Sequence, residues 1–318
     1  MPFDFEQATG IHSRFVCTGE EDALTLATSA AQSCLKRSSM SASDLDLVVS
    51  CSISKFGNGS SHHFEPPLSS IIKRTIGAHR AANFDLSNAC GGLVTGLIVI
   101  DNLLRTGAIR AGMAVSGEFI SSIAFNAASK WPNGQSEHLA SLTVGDAGAA
   151  VILVRDGGLA DRIYGWSITT HAEFSDLCIG RLDGDAPGGR MISDAFALHR
   201  LAIPRMVPVL SAALEAAGVG IRELDFAIPH QTSKQAVEVG HAYLNRILGP
   251  TATEPVCYVS EIGNTASTSH FVALELLIKS GRLVGGQKIA LLAYGAGLCL
   301  GAVILSVSNA LIANVRRV

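Results

Sequence analysis

Cys90 has the type and setting of a covalent nucleophile. It lies in FDLSNACGG, where a short apolar run ends, a turn follows and a helical pattern begins. A cysteine at a helix N-terminus is favoured as the thiolate, which is the nucleophilic form of the side chain. The neighbouring Gly91 and Gly92 carry no side chains, so a substrate thioester could approach the sulfur closely. The pattern predicts a nucleophile here rather than a buried structural cysteine.

His230 and Asn264 are the other two candidates for chemistry. His230 lies in AIPHQTS, between a strand-like run and a helix-like run, and Pro229 restricts the backbone before it. Asn264 lies in SEIGNTAST, at nearly the same place in the second half of the chain as Cys90 in the first. The alternatives are an ordinary hydrogen-bonded histidine and a helix N-cap asparagine. We predict chemical roles because the two positions belong to a repeated pattern.

The elements that must position these residues occur twice in the chain. Short apolar strands alternate with helical stretches, which is the pattern of α/β layers. The second half repeats the order of the first at an offset of 173 to 179 residues. The matched starting points are Leu45 with Leu224, Ser87 with Ser260, and Gly117 with Gly295. The repeat predicts two similar halves about a pseudo-twofold axis, with VCYVS in the second half matching the strand FDLS in the first.

Duplication also predicts where the site lies. In open α/β layers, ligands bind outside the carboxyl ends of the strands. Cys90, His230 and Asn264 each follow a strand-like run, so matching strand ends would bring them together near the axis.

Composition excludes several other classes of protein. The chain has 318 residues, 48% hydrophobic and 16% charged, as in a globular protein with a large core. A net charge of -3 and the lack of any Lys/Arg run argue against a nucleic-acid surface. Seven cysteines without a CxxC pair argue against zinc ribbons and thioredoxin-like motifs, and favour reduced, buried cysteines in a cytoplasmic protein. The adjacent His62 and His63 are expected to point apart and not to hold a metal.

No membrane segment is expected. The first ten residues, MPFDFEQATG, lack the pattern of a signal peptide. The stretch Ile289–Val315 has no charged residue and imitates a transmembrane helix. Gly295, Gly297 and Gly301 interrupt it as turns do, and it has a counterpart in the first half, so we predict soluble strands instead.

The motifs together resemble a known family. NACGG, PHQ and GNTAS, in that order, resemble the Cys, His and Asn motifs of β-ketoacyl-acyl-carrier-protein synthase III, in the thiolase superfamily. GDAGAAVIL, YGAGLCLGAVIL and the early TGIHSRFV also resemble segments of that family. The resemblance implies an α/β thiolase-like fold of five layers, αβαβα. It places one half at residues 1–158, with the nucleophile, and the other at 159–318, with His230 and Asn264.

The resemblance implies a reaction. Cys90 would take an acyl group from a thioester, and the acyl group would then join a malonyl-type thioester by decarboxylative Claisen condensation. The backbone N–H groups of Cys90 and Ala296 would form the oxyanion hole, while His230 and Asn264 stabilise the enolate. The implied substrates are acyl-CoA or acyl carrier protein thioesters in fatty acid, polyketide or related metabolism. No cofactor, metal, nucleic acid or membrane is expected, and the protein would be a cytoplasmic homodimer.

Two features depart from the family's pattern. Only eight residues precede the TGI segment, so the first strand of the family's sheet is expected to be absent or replaced. Asp4, Ala8, Ser233 and Gln235 stand where the family often has residues that contact coenzyme A, which argues against an ordinary acetyl-CoA primer. The stretch Ile120–Leu139, which includes KWPNGQSEH, is longer than usual and is expected to shape the acyl pocket or a dimer contact.

Alternative functions stay open from the sequence. The enzyme could transfer an acyl group to an amine or alcohol without decarboxylation, or the chain could be a silent partner in a heterodimeric ketosynthase. The presence of Cys90, His230 and Asn264 together argues against a silent subunit. A papain-type hydrolase is disfavoured, because that family has a different cysteine motif near its N-terminus and no duplication.

Overall fold

A computed structural model describes residues 4–57, 61–130, 136–155, 161–184, 188–249 and 255–317. The helices are α1 (Phe5–Thr9), α2 (Ala23–Arg37), α3 (Leu68–Ile76), α4 (Gly92–Arg105), α5 (Ser121–Lys130), α6 (Leu139–Leu142), α7 (Ala195–Ala217), α8 (Lys234–Leu248), α9 (Val259–Ile262), α10 (Ser269–Lys279) and α11 (Asn309–Arg316). The strands are β1 (Leu47–Ser50), β2 (Phe56–Gly57), β3 (Ser61–His62), β4 (Ala82–Asp85), β5 (Ala111–Glu118), β6 (Ala147–Val154), β7 (Arg162–Thr170), β8 (Cys178–Leu182), β9 (Gly189–Ser193), β10 (Phe226–Pro229), β11 (Lys288–Gly295) and β12 (Cys299–Ser306). Short 3₁₀ turns include Ala89–Gly91 and Ala266–Thr268.

Two four-stranded sheets carry the duplication. Their strand orders are β4-β1-β5-β6 and β10-β11-β12-β7. In each sheet a short strand, β1 or β10, is parallel to the next long strand, and that long strand is antiparallel to a second long one. Thus β1, β5 and β6 correspond to β10, β11 and β12. Every residue of β1, β5 and β12 is buried, as in strands covered on both faces.

The two sheets and three layers of helices stack in five layers. One apolar cluster joins α2 and α3 to the outer face of the first sheet. A second cluster joins the inner face of that sheet to α4, and a third joins α4 and α10 to the inner face of the second sheet. A fourth covers the outer face of the second sheet with α7 and α8. The order αβαβα confirms the fold class expected from the sequence.

The two halves differ at their outermost strands. The prediction that VCYVS forms a strand is wrong. Its first three residues are irregular and its last two begin α9, although the N–H of Val256 donates to the carbonyl of Ala227 in β10. Conversely, β12 lies between β11 and β7, whereas β6 pairs with β5 alone among the described residues. The expectation that the family's first strand is absent or replaced stays a prediction.

Two of the sequence predictions concern residues outside the described ranges. The proposed boundary at 158/159 lies in residues 156–160, outside the described residues, and so stays a prediction. Most of KWPNGQSEH lies outside them too, while the preceding residues form α5. The uncharged stretch 289–315 forms most of the β11–β12 hairpin and α11. Over the described ranges, every helix is too short or too polar to span a bilayer.

Candidate active site

Cys90 lies in the 3₁₀ turn that joins β4 to α4, two residues before the helix begins. Glycines hold this turn close to both sheets. A Cβ on Gly92 would lie 2.8 Å from the carbonyl oxygen of Cys51, at the end of β1. A Cβ on Gly295 would lie 2.9 Å from the backbone nitrogen of Cys90. Only residues without side chains allow the start of α4 to approach the end of β1, and the end of β11 to approach Cys90, this closely.

The thiol of Cys90 is held in an apolar setting. Burial raises the pKa of Cys90, and the nearby Cys178 and Glu118 raise it further, while its own backbone N–H acts in the opposite direction. From the sequence, the helix N-terminus is expected to favour the thiolate. Burial opposes this effect and favours the thiol.

The surroundings of Cys90 suit an apolar acyl group. The side chain packs beside a hydrophobic cluster from α5, the start of the second 3₁₀ turn and the β8–β9 hairpin. Its members are Ile120, Ile123, Ala124, Val144, Met191 and Ala266.

His230 follows β10 directly and is 2% exposed. Its backbone N–H bonds to the carbonyl of Leu292 in the neighbouring strand β11. Its Nδ1 lies 2.7 Å from the hydroxyl of Ser269, the first residue of α10. Burial lowers the pKa of His230 well below its usual range, and the adjacent His270 lowers it further, so the imidazole is neutral.

Asn264 is fixed by both its backbone and its carboxamide. Its N–H bonds to the carbonyl of Thr143, and its carbonyl accepts from Gly145, which pins it to the first half of the chain. Its Oδ1 accepts from the N–H of Ala266 at 3.0 Å. The N-cap-like role expected as an alternative is thus taken by the oxygen, and the NH₂ group is left as a donor.

The three predicted residues surround one corner between the sheets. The turn that carries Cys90 packs against the turn that follows Asn264 and against the end of β11. There Tyr294 directly precedes Gly295, which contacts the backbone of Cys90. The ring of Tyr294 also lies edge-on to His230, with 5.2 Å between centroids. Tyr294 and Gly295 therefore link the surroundings of Cys90 and His230.

The structure corrects the matching of Cys90 with Asn264. Ala89 and Ala266 both have a left-handed φ, of 45° and 49°, and each begins a 3₁₀ turn that leads into a long helix. By this backbone criterion the counterpart of Cys90 is Ser267, and Asn264 lies three residues earlier. The two turns pack against each other, so the loop that carries Asn264 leads directly into the turn beside Cys90.

Several polar residues at the site were missed from the sequence. Tyr294 Oη lies 2.6 Å from Nε2 of His199 and 2.9 Å from Oγ1 of Thr232. Next to this group is a mainly apolar cavity between α7, α8 and the second sheet, with His230 and Tyr294 in its wall. These contacts join residues up to 95 positions apart, so no local pattern could have indicated them.

Glu118 is a buried carboxyl beside the site. It is fully buried at the end of β5 and accepts from the N–H groups of Ile53 and Ser54. It also accepts from the hydroxyls of Ser116 and Ser267. Burial raises the pKa of Glu118, although these donors act in the opposite direction. The carboxyl ties the Ser267 turn to the first sheet.

The second predicted oxyanion donor stays a prediction. Ala296 follows Gly295 in the loop between β11 and β12, so its backbone lies near the turn that carries Cys90.

Within the described ranges, no group of three or more metal-ligating side chains is suitably placed for a metal ion.

Comparison with known proteins gives one consistent result. The family model for 3-oxoacyl-[acyl-carrier-protein (ACP)] synthase III matches residues 84–172, and the model for its C-terminal part matches residues 214–307. β-Ketoacyl-[acyl-carrier-protein] synthase III of a Synechocystis strain is 26% identical, over 94% of this chain and 88% of that protein. The Streptomyces lividans enzyme of the same name is 28% identical, over 92% and 83%.

Solved structures of related enzymes have the same fold over most of this chain. Xanthomonas campestris OleA, in a structure with bound lauric acid and lauroyl-CoA, superposes with a TM-score of 0.82 at 26% identity, over 95% of this chain and 88% of OleA. The 3-oxoacyl-[acyl-carrier-protein] synthase III of Aquifex aeolicus gives 0.78 at 25% identity, over 94% and 88%. Fold and motifs define a thiolase-fold condensing acyltransferase. The chain belongs to the 3-oxoacyl-acyl-carrier-protein synthase III family.

Proposed function

We propose that this enzyme joins an acyl group held on Cys90 to a malonyl-type thioester by decarboxylative Claisen condensation. The observation that carries the proposal is that, among the described residues, Nδ2 of Asn264 and Nε2 of His230 have no hydrogen-bond partner. Asn264 uses Oδ1 to hold its own loop and His230 uses Nδ1 to meet Ser269. The remaining N–H groups can hold the oxygen of an enolate in a site with little competing water.

The first half-reaction loads the enzyme. The sulfur of Cys90 attacks the carbonyl carbon of an acyl thioester, and the C–S bond to the carrier thiol breaks as that thiol takes the proton. The transient oxyanion is held by the backbone N–H groups of Cys90 and Ala296. The apolar cluster around Ile123 and Met191 accommodates the acyl chain.

The second half-reaction forms the carbon–carbon bond. The malonyl thioester loses carbon dioxide, and the electron pair of the broken bond forms an enolate whose oxygen accepts from His230 and Asn264. The enolate carbon attacks the acyl carbonyl, and the sulfur of Cys90 leaves. Asparagine cannot ionise and the histidine is neutral, so both donors persist at neutral pH. The reaction needs no cofactor beyond the acyl-CoA or acyl-carrier-protein substrates.

Product analysis tests the proposal. The protein is incubated with an acyl-CoA and with malonyl-CoA or malonyl carrier protein labelled in the free carboxyl group. We expect release of labelled carbon dioxide and a 3-oxoacyl thioester two carbons longer than the donor, and neither from Cys90→Ala. Acyl transfer to an amine or alcohol without carbon dioxide release would contradict the proposal and support the alternative reaction.

A further inference from the structure

The hydroxyl of Ser269 has few possible hydrogen-bond partners. Ser269 is fully buried at the start of α10, and its Oγ lies 2.7 Å from Nδ1 of His230. At a helix start a serine hydroxyl often turns back to a carbonyl in the preceding turn. Here the carbonyl of Thr265 already accepts from the hydroxyl and N–H of Thr268. Among the described residues, His230 is the one hydrogen-bond partner of this hydroxyl.

Because the Ser269 hydroxyl has no other acceptor among the described residues, the direction of its hydrogen bond with His230 can be inferred. If Nδ1 carried the proton, it would donate to Ser269, and the hydroxyl hydrogen would be buried without an acceptor. If Nδ1 is unprotonated, the hydroxyl donates to it and no donor is wasted. A buried donor without a partner loses its hydrogen bond to water and gains nothing in return, so the second arrangement is favoured.

The neighbouring His270 reinforces this arrangement. Its ring stacks on that of His230 with 5.7 Å between centroids, and its Nε2 donates to the carbonyl of Leu292 at 3.1 Å. Burial lowers the pKa of His270 to about 4. Both imidazoles are therefore neutral, because a charge on either would lie buried beside the other ring. A neutral imidazole has a single N–H, so the partner of one nitrogen determines the role of the other.

We propose that Ser269 is a positioning residue that keeps the proton of His230 on Nε2, which makes His230 a permanent donor to the substrate rather than a base. The inference deepens the proposed function and rests on it for the substrate, but the position of the proton is a property of the free enzyme. It also implies that His230 does not take the proton from Cys90 in the resting state.

The tautomer can be measured without any substrate. The protein is labelled with ¹⁵N-histidine, and two-bond ¹H–¹⁵N correlation spectra distinguish Nε2–H from Nδ1–H rings; His230→Gln assigns the signal by its loss. We expect His230 to be neutral with Nε2–H in the wild type, and to show a mixture of tautomers in Ser269→Ala. A wild-type spectrum with the proton on Nδ1, or with a charged ring at neutral pH, would overturn the proposal.

Kinetics test whether the tautomer matters to the reaction. Ser269→Ala should lower malonyl decarboxylation about 10- to 100-fold, the range known for loss of a group that orients a metal-binding histidine. Acyl loading of Cys90, which does not use the His230 donor, should change little. Ser269→Thr keeps a hydroxyl and should restore both the spectrum and the rate. If the added methyl prevents folding, the wild-type spectrum still decides the question.

A matched control lies at the other end of the same helix. The hydroxyl of Ser280, just after α10, donates to the carbonyl of Leu277 and has no contact with the site. Ser280→Ala should leave tautomer, loading and decarboxylation unchanged. An equal loss of rate in Ser269→Ala and Ser280→Ala would reduce Ser269 to a structural role and overturn the proposal. If the wild type showed Nε2–H but never released carbon dioxide, the proposed function would fail while the tautomer assignment stood.

Discussion

At the scale of single residues, the proposed mechanism gives two tasks to the polar atoms of each side chain. Asn264 holds its own loop with Oδ1, and we propose that its NH₂ group binds the substrate. His230 is hydrogen-bonded to Ser269 through Nδ1, and we propose that its Nε2 binds the substrate. A donor whose orientation is fixed by its other end needs no reorganisation when charge develops in the transition state.

Two substitutions at Asn264 separate these tasks. Asn264→Asp keeps an oxygen to accept from Ala266 but has no N–H for an enolate. We expect it to lower decarboxylation by about 10²–10³-fold, as for loss of one oxyanion donor. Asn264→Ala removes the acceptor as well and should also lower the melting temperature.

Acyl loading of Cys90 should persist in both Asn264 variants, because it uses neither atom of the carboxamide. Stopped-flow detection of released coenzyme A and of carbon dioxide measures the two steps separately. If both steps fell equally in Asn264→Asp, Asn264 would have no specific role in holding the enolate.

The motifs were enough to predict Cys90, His230 and Asn264 as site residues, and their roles stay predictions. The sequence did not predict the orientation of the side chains around them. The hydroxyl of Ser269 and the ring of Tyr294 could not be predicted, because their roles depend on the rotation of side chains joined only by the fold. The raised pKa of Cys90 was also missed, since burial of a thiol depends on how both halves pack over it.

At the scale of elements, α4 is the support on which the nucleophile depends. Its first residue, Gly92, packs directly against the backbone carbonyl of Cys51 at the end of β1. The helix therefore sits as close to the first sheet as backbone atoms allow, and this distance sets the position of Cys90 two residues earlier.

A pair of glycine substitutions tests the close approach. Gly92→Ala places a Cβ 2.8 Å from a backbone oxygen, which must move, so we expect a loss of about 1–3 kcal/mol in unfolding free energy and slower acyl loading. Gly240→Ala, within α8, meets only Ile203 at 3.8 Å. It should gain up to about 1 kcal/mol from helix propensity and leave loading unchanged.

Urea unfolding and acyl loading are measured on both glycine variants. Equal stability changes in the two would show that the contact of Gly92 with Cys51 does not constrain α4.

Most elements followed from the periodic pattern of the sequence, and the exceptions have physical reasons. VCYVS has the composition of a strand, yet it makes one hydrogen bond to β10 and then turns into α9 at Val259. Ladder formation depends on a partner's geometry, which composition does not contain. The match of Asn264 to Cys90 was three residues off for a similar reason: only φ at Ala89 and Ala266 reveals the true alignment.

At the scale of the whole molecule, the duplication explains why a site forms at all. Two α/β halves packed on shared helices bring the carboxyl ends of β10 and β11 next to the turn after β4.

The chain also leaves the outer edge of β4 without a strand partner in the described residues. Alternate N–H groups of β4 point toward β1, because Ala82 and Leu86 donate to its side, so the N–H of Asn83 points outward.

This open edge predicts a homodimer in which one sheet continues across the interface. Asn83→Pro removes an outward N–H without disturbing the bonds to β1, and we expect it to yield monomers. Asn83→Ala is the control, because it also loses the side-chain bonds to Ser69 and Ser70 but keeps the N–H. Sedimentation velocity should show dimers for the wild type and Asn83→Ala. A monomeric wild type, or a dimeric Asn83→Pro, would contradict this interface.

The central claim is that Cys90 carries the acyl group, and intact-mass spectrometry after incubation with a panel of acyl-CoA donors measures it directly. We predict one added acyl mass on the wild type, located by peptide mapping on Cys90. The adduct should vanish in Cys90→Ala and persist in Cys178→Ala, which removes the neighbouring thiol. A wild type that stays unloaded with every donor, or a Cys90→Ala variant that still gains the mass, would contradict it.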